Sequence, residues 1–196
     1  ATTLPFELVF HPLTQAGLVC DQNKFTVECF PTQHRIPCWG FVVREKKMPR
    51  KLNRQAVEAA EVPAAYYPQL KAGQDYQKKN GAVLLNEELT FPNTPPASYA
   101  YCADTIFDKG LVPFVQNVQL LYHETTYLAD QSERAAARFH TTTHQAAEIA
   151  ALAGAGQLVI GHFSSKYESL DAFLTEAQSI FPRTALAVEG VSFLVR

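Results

Sequence analysis

A chain of 196 residues, 47% of them apolar and 18% charged, is long enough to bury one substantial core, and its composition is that of an ordinary globular protein rather than a disordered one. The formal net charge of −2 excludes a polycation, so any nucleic-acid contact has to come from a local basic patch. Cys20, Cys29, Cys38 and Cys102 make no Cys-x-x-Cys pair and fit neither a zinc ribbon nor a dense disulfide scaffold, and no apolar run approaches the roughly 18 residues that span a bilayer.

Residues 6–13, 24–30 and 36–44 are β-branched and aromatic runs bounded by Gly, Pro, Asn and Asp, which predicts antiparallel strands from the start of the sequence. Residues 1–20 lack a charged segment followed by a hydrophobic one, so no signal peptide is expected, and the reading is a soluble cytoplasmic protein with no membrane contact. From 45 to 97 the character changes. Proline recurs, a short helix is expected at 53–60, and an Asn80-Gly81 turn precedes Ala82-Val83-Leu84-Leu85, which together suggest an inserted segment.

Beyond residue 97 strand and helix alternate, the mark of α/β layering, with strands expected near 98–103, 118–122, 157–161 and 184–188. Asp130 with Glu133 suggests one helix start. Thr142 with Gln145 fits a capping box, after which Ile149, Leu152 and Ala153 recur at helical spacing until Gly154 and Gly156. Ser169 is placed to cap a last helix whose apolar face is Leu170, Phe173, Leu174, Ala177, Ile180 and Phe181, ended by Pro182.

Strands joined by crossover helices run parallel, so their C-terminal ends share one edge. Asp104, His123 with Glu124, and His162 each fall at such an end, and His34 joins them if the strand at 24–30 borders the same edge. Histidine and aspartate are the nitrogen and oxygen donors that zinc prefers, and a shared carboxylate can bridge two ions about 3.5–4 Å apart. A lone histidine at a strand end is more often a hydrogen-bonded structural residue. His140 stands just before a capped helix start, where free N–H groups and the helix dipole favour a phosphate.

The segments Tyr101-Cys102-Ala103-Asp104-Thr105, Tyr122-His123-Glu124-Thr125-Thr126, Phe139-His140-Thr141-Thr142 and Ile160-Gly161-His162-Phe163-Ser164-Ser165-Lys166-Tyr167, in this order, resemble the C-terminal half of ribonuclease Z, the tRNA 3′-processing endonuclease of the metallo-β-lactamase superfamily. The resemblance implies an α/β metallo-β-lactamase fold (an αββα sandwich), here incomplete, with residues 1–196 as a C-terminal portion. It implies His34, Asp104 and His162 as ligands of two zinc ions, with Asp104 bridging. His140 would stabilise the transition state or donate a proton, with Glu124 orienting it, while His123 would be a supporting or folding residue and His144 a helix-surface one.

The family's His-Glu-Ala-Thr stands here as His123-Glu124-Thr125-Thr126, its His-Ser-Thr as His140-Thr141-Thr142, and its usual Arg before Tyr167 is Lys166. The His-x-His-x-Asp-His run that supplies four ligands and the catalytic acid/base in the family does not occur in the sequence. Arg44, Lys46, Lys47, Arg50, Lys51 and Arg54 against Glu45 give a local charge of +5 (six cations less one anion) within eleven residues. Such a run is often only a solvated face, but by the resemblance residues 45–97 are an arm that grips the tRNA body. The implied activity is zinc-dependent removal of the 3′ trailer from precursor tRNA, in a protein expected to be a homodimer. This chain alone is expected to be inactive. Alternatives are another phosphodiesterase of the superfamily, or a non-catalytic RNA-binding or dimerisation module.

Overall fold

A computed structural model describes residues 5–195. The chain divides into two compact units, one formed by the segments up to residue 44 and from residue 97, the other by residues 45–96. The first segment supplies β1 (Gly17–Asp21), β2 (Phe25–Thr32) and β3 (Cys38–Glu45). The smaller unit holds β4 (Lys51–Leu52), α1 (Arg54–Ala59), α2 (Tyr67–Lys71), β5 (Tyr76–Gln77), β6 (Val83–Leu84), α3 (Asn86–Leu89) and β7 (Thr90–Phe91). The rest supplies β8 (Ser98–Cys102), α4 (Val112–Val115), β9 (Leu120–Glu124), α5 (Ser132–Arg138), α6 (Thr143–Ala153), β10 (Gln157–Gly161), α7 (Asp171–Ile180) and β11 (Thr184–Leu186).

Seven strands form one sheet in the order β1-β2-β3-β8-β9-β10-β11. The β1/β2 and β3/β8 pairs are antiparallel, whereas β8 through β11 pair in parallel, as the strand–helix alternation predicts. Register sets Cys102 beside His123 and His123 beside Ile160, with Glu124 beside Gly161, so β8, β9 and β10 end level with one another. That alignment decides where their exits lie.

One face of the sheet carries Ala100, Cys102, Leu121, Leu158 and Ile160 into a core completed by Ala146, Ile149, Ala150 and Ala153 of α6 and Phe173 and Ala177 of α7. Each large side chain buried there contributes about 1.5–3 kcal/mol. The other face is aromatic: Tyr101 and Tyr122 stack at 4.8 Å, and Tyr101 remains 39% exposed. Gly161 is required beside this stack, because a Cβ there would lie 2.5 Å from the Tyr122 hydroxyl oxygen.

Several sequence expectations are corrected. Residues 6–13 form no strand: Pro5 and Pro12 bracket the run and lack N–H donors, no neighbouring strand pairs with it, and Phe6, Leu8, Val9 and Phe10 are exposed. The edge strand is β1, which starts later. Asp130 and Glu133 do not cap α5, since the chain enters that helix from a 3₁₀ turn at Ala129–Gln131 and the N-cap residue Gln131 makes no side-chain capping bond. Leu152 is 51% exposed because it falls outside the stripe of Ala146, Ile149, Ala150 and Ala153 that α6 buries. His123 and Glu124 are the last residues of β9 rather than residues beyond it.

Other local signals coincide with the structure. Thr142 and Gln145 form a reciprocal capping box, and Gly154 ends α6 at φ 62°, the left-handed conformation glycine adopts without penalty. Ser169 is not itself the N-cap of α7, which is Leu170 without a side-chain capping bond, but its hydroxyl accepts the Asp171 N–H (3.1 Å) at the first helical residue.

The smaller unit has its own core of Val57, Val62, Leu70 and Leu89, with Tyr66 and Tyr76 packed against it. Asn86 stitches it together. Its Nδ2 donates to the carbonyls of Leu70 and Gln74 (both 2.8 Å), and its backbone N–H donates to Asp75 Oδ1 (2.7 Å).

Candidate active site

Asp104 and His162 leave their strands in the left-handed region, at φ 51° and 61°. Non-glycine residues adopt this conformation at a cost, and it persists where the surroundings impose it. Around Asp104 those surroundings are explicit. Its carbonyl accepts the Thr32 hydroxyl (3.1 Å), the Thr105 N–H donates to Glu124 Oε1 (3.0 Å), and the Ile106 N–H donates to the Gln33 carbonyl (2.9 Å). These bonds tie the exit of β2 to the exit of β8 and so bring His34 to the rim.

Glu124 is the centre of the arrangement. Fully buried, it accepts five hydrogen bonds. At Oε1 they come from the Thr105 N–H and His140 Nδ1 (2.8 Å), and at Oε2 from the Thr126 N–H (3.3 Å), the Thr126 hydroxyl (2.9 Å) and the Thr141 N–H (3.2 Å). Burial pushes its carboxyl up, but the hydrogen bond and charge of His140, the charge of His123 and the Thr105 N–H outweigh burial and hold it below the ordinary carboxylate value. The Glu124 hydrogen bond raises the His140 pKa, outweighing burial of the ring. The Glu124 and Asp104 charges add to it, and Arg35 opposes it.

Three imidazoles stand in a row, His34 to His140 and His140 to His162, each pair with ring centroids 5.3 Å apart. His34 Nδ1 lies 3.1 Å from the Phe139 carbonyl. A carbonyl only accepts, so Nδ1 carries a hydrogen, and in the neutral ring Nε2 is bare. Phe139 offers that carbonyl because it ends α5 in the left-handed conformation, φ 60°. His162 Nε2 lies 3.3 Å from Asp104 Oδ1, and its Nδ1 lies 3.1 Å from the Thr126 hydroxyl.

Among the described residues, Asp104, Glu124, His140 and His162 each offer an atom within 4.8 Å of the others. Glu124 is committed to its five donors, which leaves Asp104, His162 and the free Nε2 of His140 facing one opening. His34 falls outside this tightest group and enters through its ring contact with His140. The side chains of Asp104 and His162 are 42% and 44% exposed, so the opening is accessible. Mixed nitrogen and oxygen donors, with one histidine nitrogen facing a carboxylate oxygen, suit a zinc ion. The donor set therefore fits that metal.

The helix start beyond His140 behaves differently from expectation. The N–H of Thr141 goes to Glu124, that of Thr142 to Gln145 Oε1, that of Thr143 to the Tyr127 carbonyl (3.1 Å) and that of Gln145 to the Thr142 hydroxyl. These four donors are engaged internally and are not available to a phosphate. His123 is wholly buried and its burial lowers its pKa. Its Nδ1 donates to the Glu124 carbonyl (2.7 Å), and its Nε2 has no partner among the described residues. His144 is exposed on α6.

The basic run is not one uniform face. Arg44 belongs to the larger unit and donates to the Phe114 carbonyl (3.1 Å). Arg50 donates through Nε to the Thr90 hydroxyl (2.6 Å) and Lys46 is half-buried, whereas Lys47, Lys51 and Arg54 are exposed. Within the smaller unit, Lys47, Arg50, Lys71, Asp75 and Glu87 line a cleft of about 1000 Å³.

Thr126, Phe139, Thr105 and Thr141 had no role in the sequence reading. Their contributions run through backbone groups or a single hydroxyl, and a left-handed phenylalanine carries no sequence signal.

No family profile matches the chain. It is 43% identical over 191 residues to the ribonuclease Z of Bacteroides fragilis, covering 96% of this chain and 63% of that protein. To the ribonuclease Z of Porphyromonas gingivalis it is 42% identical over 188 residues, covering 95% and 62%. The chain thus spans a little under two thirds of the curated relatives it matches. Among solved structures, the short form of human tRNase Z superposes with a TM-score of 0.55 at 22% identity, over 93% of this chain and 48% of that one. A metallo-β-lactamase fold protein of Bacillus subtilis gives 0.56 at 19% identity, over 92% and 52%. Along nearly its whole length the chain is a homologue of proteins named ribonuclease Z, and its fold is that of the metallo-β-lactamase proteins.

Proposed function

We propose that this chain is the part of a zinc-dependent endoribonuclease that holds one side of its metal centre and its proton donor, and that the enzyme removes the 3′ trailer from precursor tRNA in the cytoplasm. The observation that carries the reading is the meeting of Asp104, His140 and His162 around one opening, ordered by Glu124. His34, Asp104 and His162 would hold the metal. When bound, zinc lowers the pKa of a coordinated water and neutralises charge on the phosphate.

The rest falls to the chain's own side chains. Glu124 holds the Nδ1 proton of His140 and favours the charged ring, so His140 Nε2–H is set to hydrogen-bond a phosphate oxygen or protonate the leaving 3′ oxygen. Exposed Lys47, Lys51 and Arg54 of the smaller unit, with Arg44, Lys46 and Arg50, would hold the tRNA body through its phosphates. The half-exposed aromatic face around Tyr101 and Tyr122 favours pairing with a second copy.

Three protein ligands shared between two ions fall short of tetrahedral sites, so the chain by itself is expected to bind zinc weakly and not to cleave. Extension to the length of its relatives should give cleavage of precursor tRNA that Asp104→Ala abolishes. An extended Asp104→Ala variant of undiminished activity would remove Asp104 from the metal centre. The lack of a His-x-His-x-Asp-His run in the sequence favours a second reading, a non-catalytic RNA-binding or dimerisation module. Elemental analysis after dialysis separates the two, since a module free of metal chemistry retains no zinc even when extended.

A further inference from the structure

We propose that Thr126 is a positioning residue that fixes the tautomer of His162, so that a single carboxylate, Glu124, orients both His140 and His162. The Thr126 hydroxyl oxygen lies 2.9 Å from Glu124 Oε2 and 3.1 Å from His162 Nδ1. A hydroxyl has one hydrogen to give and lone pairs to accept with. Glu124, held ionised by its surroundings, only accepts, and a carboxylate is a stronger acceptor than an imidazole nitrogen. The threonine hydrogen therefore goes to Glu124, and His162 Nδ1 must donate to the threonine oxygen. In the neutral ring His162 Nε2 is then left bare toward Asp104 Oδ1, 3.3 Å away, so that two acceptors face each other across a gap that suits a cation.

The position of Thr126 is fixed on three sides. It is 6% exposed, its N–H donates to Glu124 Oε2 (3.3 Å), and its carbonyl accepts the Ser164 N–H (3.2 Å) two residues beyond His162. Glu124 thus reaches His140 directly through Oε1 and His162 through the Thr126 hydroxyl at Oε2. A histidine that ligates a metal donates its other ring N–H to a fixed acceptor, and such partners set the tautomer. The use of the bare Nε2 as a metal ligand rests on the function proposed above. The tautomer does not.

The test is long-range ¹H–¹⁵N correlation on imidazole-labelled, metal-free protein, at a pH that leaves the rings neutral, with His162 assigned by the signal lost in His162→Asn. The expected result is a protonated Nδ1 and a bare Nε2 at His162 in the wild type and in Thr126→Ser, and a shift to the Nε2–H form in Thr126→Val. An Nε2–H form in the wild type overturns the proposal. So does a Thr126→Val protein whose His140 signals are native and whose His162 tautomer is unchanged. If Thr126→Val does not fold, the wild-type and Thr126→Ser spectra still decide. Failure of the extended enzyme to cleave precursor tRNA would overturn the functional reading and leave these spectra unaffected.

Discussion

The rim around Glu124 and the basic run of the smaller unit both concentrate charge, but they use it in opposite ways. At the rim one buried carboxylate meets five donors, so each group's state is set by its neighbours. In the basic run Lys47, Lys51 and Arg54 are exposed, whereas Arg50 is held by its bond to the Thr90 hydroxyl. Charge in a dry network is specific and costly to disturb, whereas charge in water is additive, screened by salt and tolerant of loss.

Glu124→Ala should break the comparison most severely. It strands the N–H groups of Thr105, Thr126 and Thr141 together with His140, and removing one partner of a buried network costs about 3–5 kcal/mol. Against a total stability of roughly 5–15 kcal/mol this approaches loss of the fold. Urea denaturation measures it, and a loss under about 1 kcal/mol would mean the network is not the tight one described.

Gly161→Ala comes next, at about 1–3 kcal/mol, because the new methyl meets the Tyr122 hydroxyl and must displace a ring stacked on Tyr101. Tyr122→Phe in the same background should recover part of the loss. No recovery would show that the strain lies elsewhere.

The ion pair predicts a pH window. Glu124 is held below the ordinary carboxylate value of 4.5 when folded, so its share of stability is complete above about pH 4.5 and is lost as pH falls through the folded value. His140 titrates above 6.5 when folded, so its share is complete below about pH 6.5 and is lost as pH rises through the folded value. The stability difference between metal-free wild type and His140→Gln should therefore peak between about pH 4.5 and 6.5 and shrink on either side. A difference flat from acid to alkaline pH contradicts the pairing.

The smallest effects belong to the basic run. Lys47→Ala, Lys51→Ala and Arg54→Ala should each change stability by less than about 0.5 kcal/mol. If the smaller unit grips RNA, each should also lower the salt dependence of tRNA binding by about one unit of slope. Arg50→Ala is the contrast, expected to cost about 1 kcal/mol of stability through its bond to Thr90. Normal tRNA binding by the triple exposed variant at low and high salt removes these side chains from the RNA surface.

The sequence by itself determined whatever depends on neighbours along the chain. β-branched and aromatic composition placed β2 and β3, the Thr142–Gln145 box and Gly154 bounded α6, and the strand–helix rhythm announced the parallel half of the sheet. It also placed Asp104 and His162 at strand exits, because parallel strands put their ends on one edge by topology alone. The run at 6–13 misled because β-branched and aromatic composition marks a segment fit to pair, while pairing needs a neighbour that only the folded sheet supplies.

Only the tertiary structure decided how the site is wired. His34 reaches the rim through bonds between Gln33 and the loop after β8, contacts 72 residues apart in sequence. Phe139 turns its carbonyl to His34 from a left-handed conformation that phenylalanine does not prefer, and Thr126 meets His162 across 36 residues. Such contacts are fixed by register and by backbone groups common to every residue. Their physical origin is the requirement that each buried donor find an acceptor, which the chain satisfies only once it is folded.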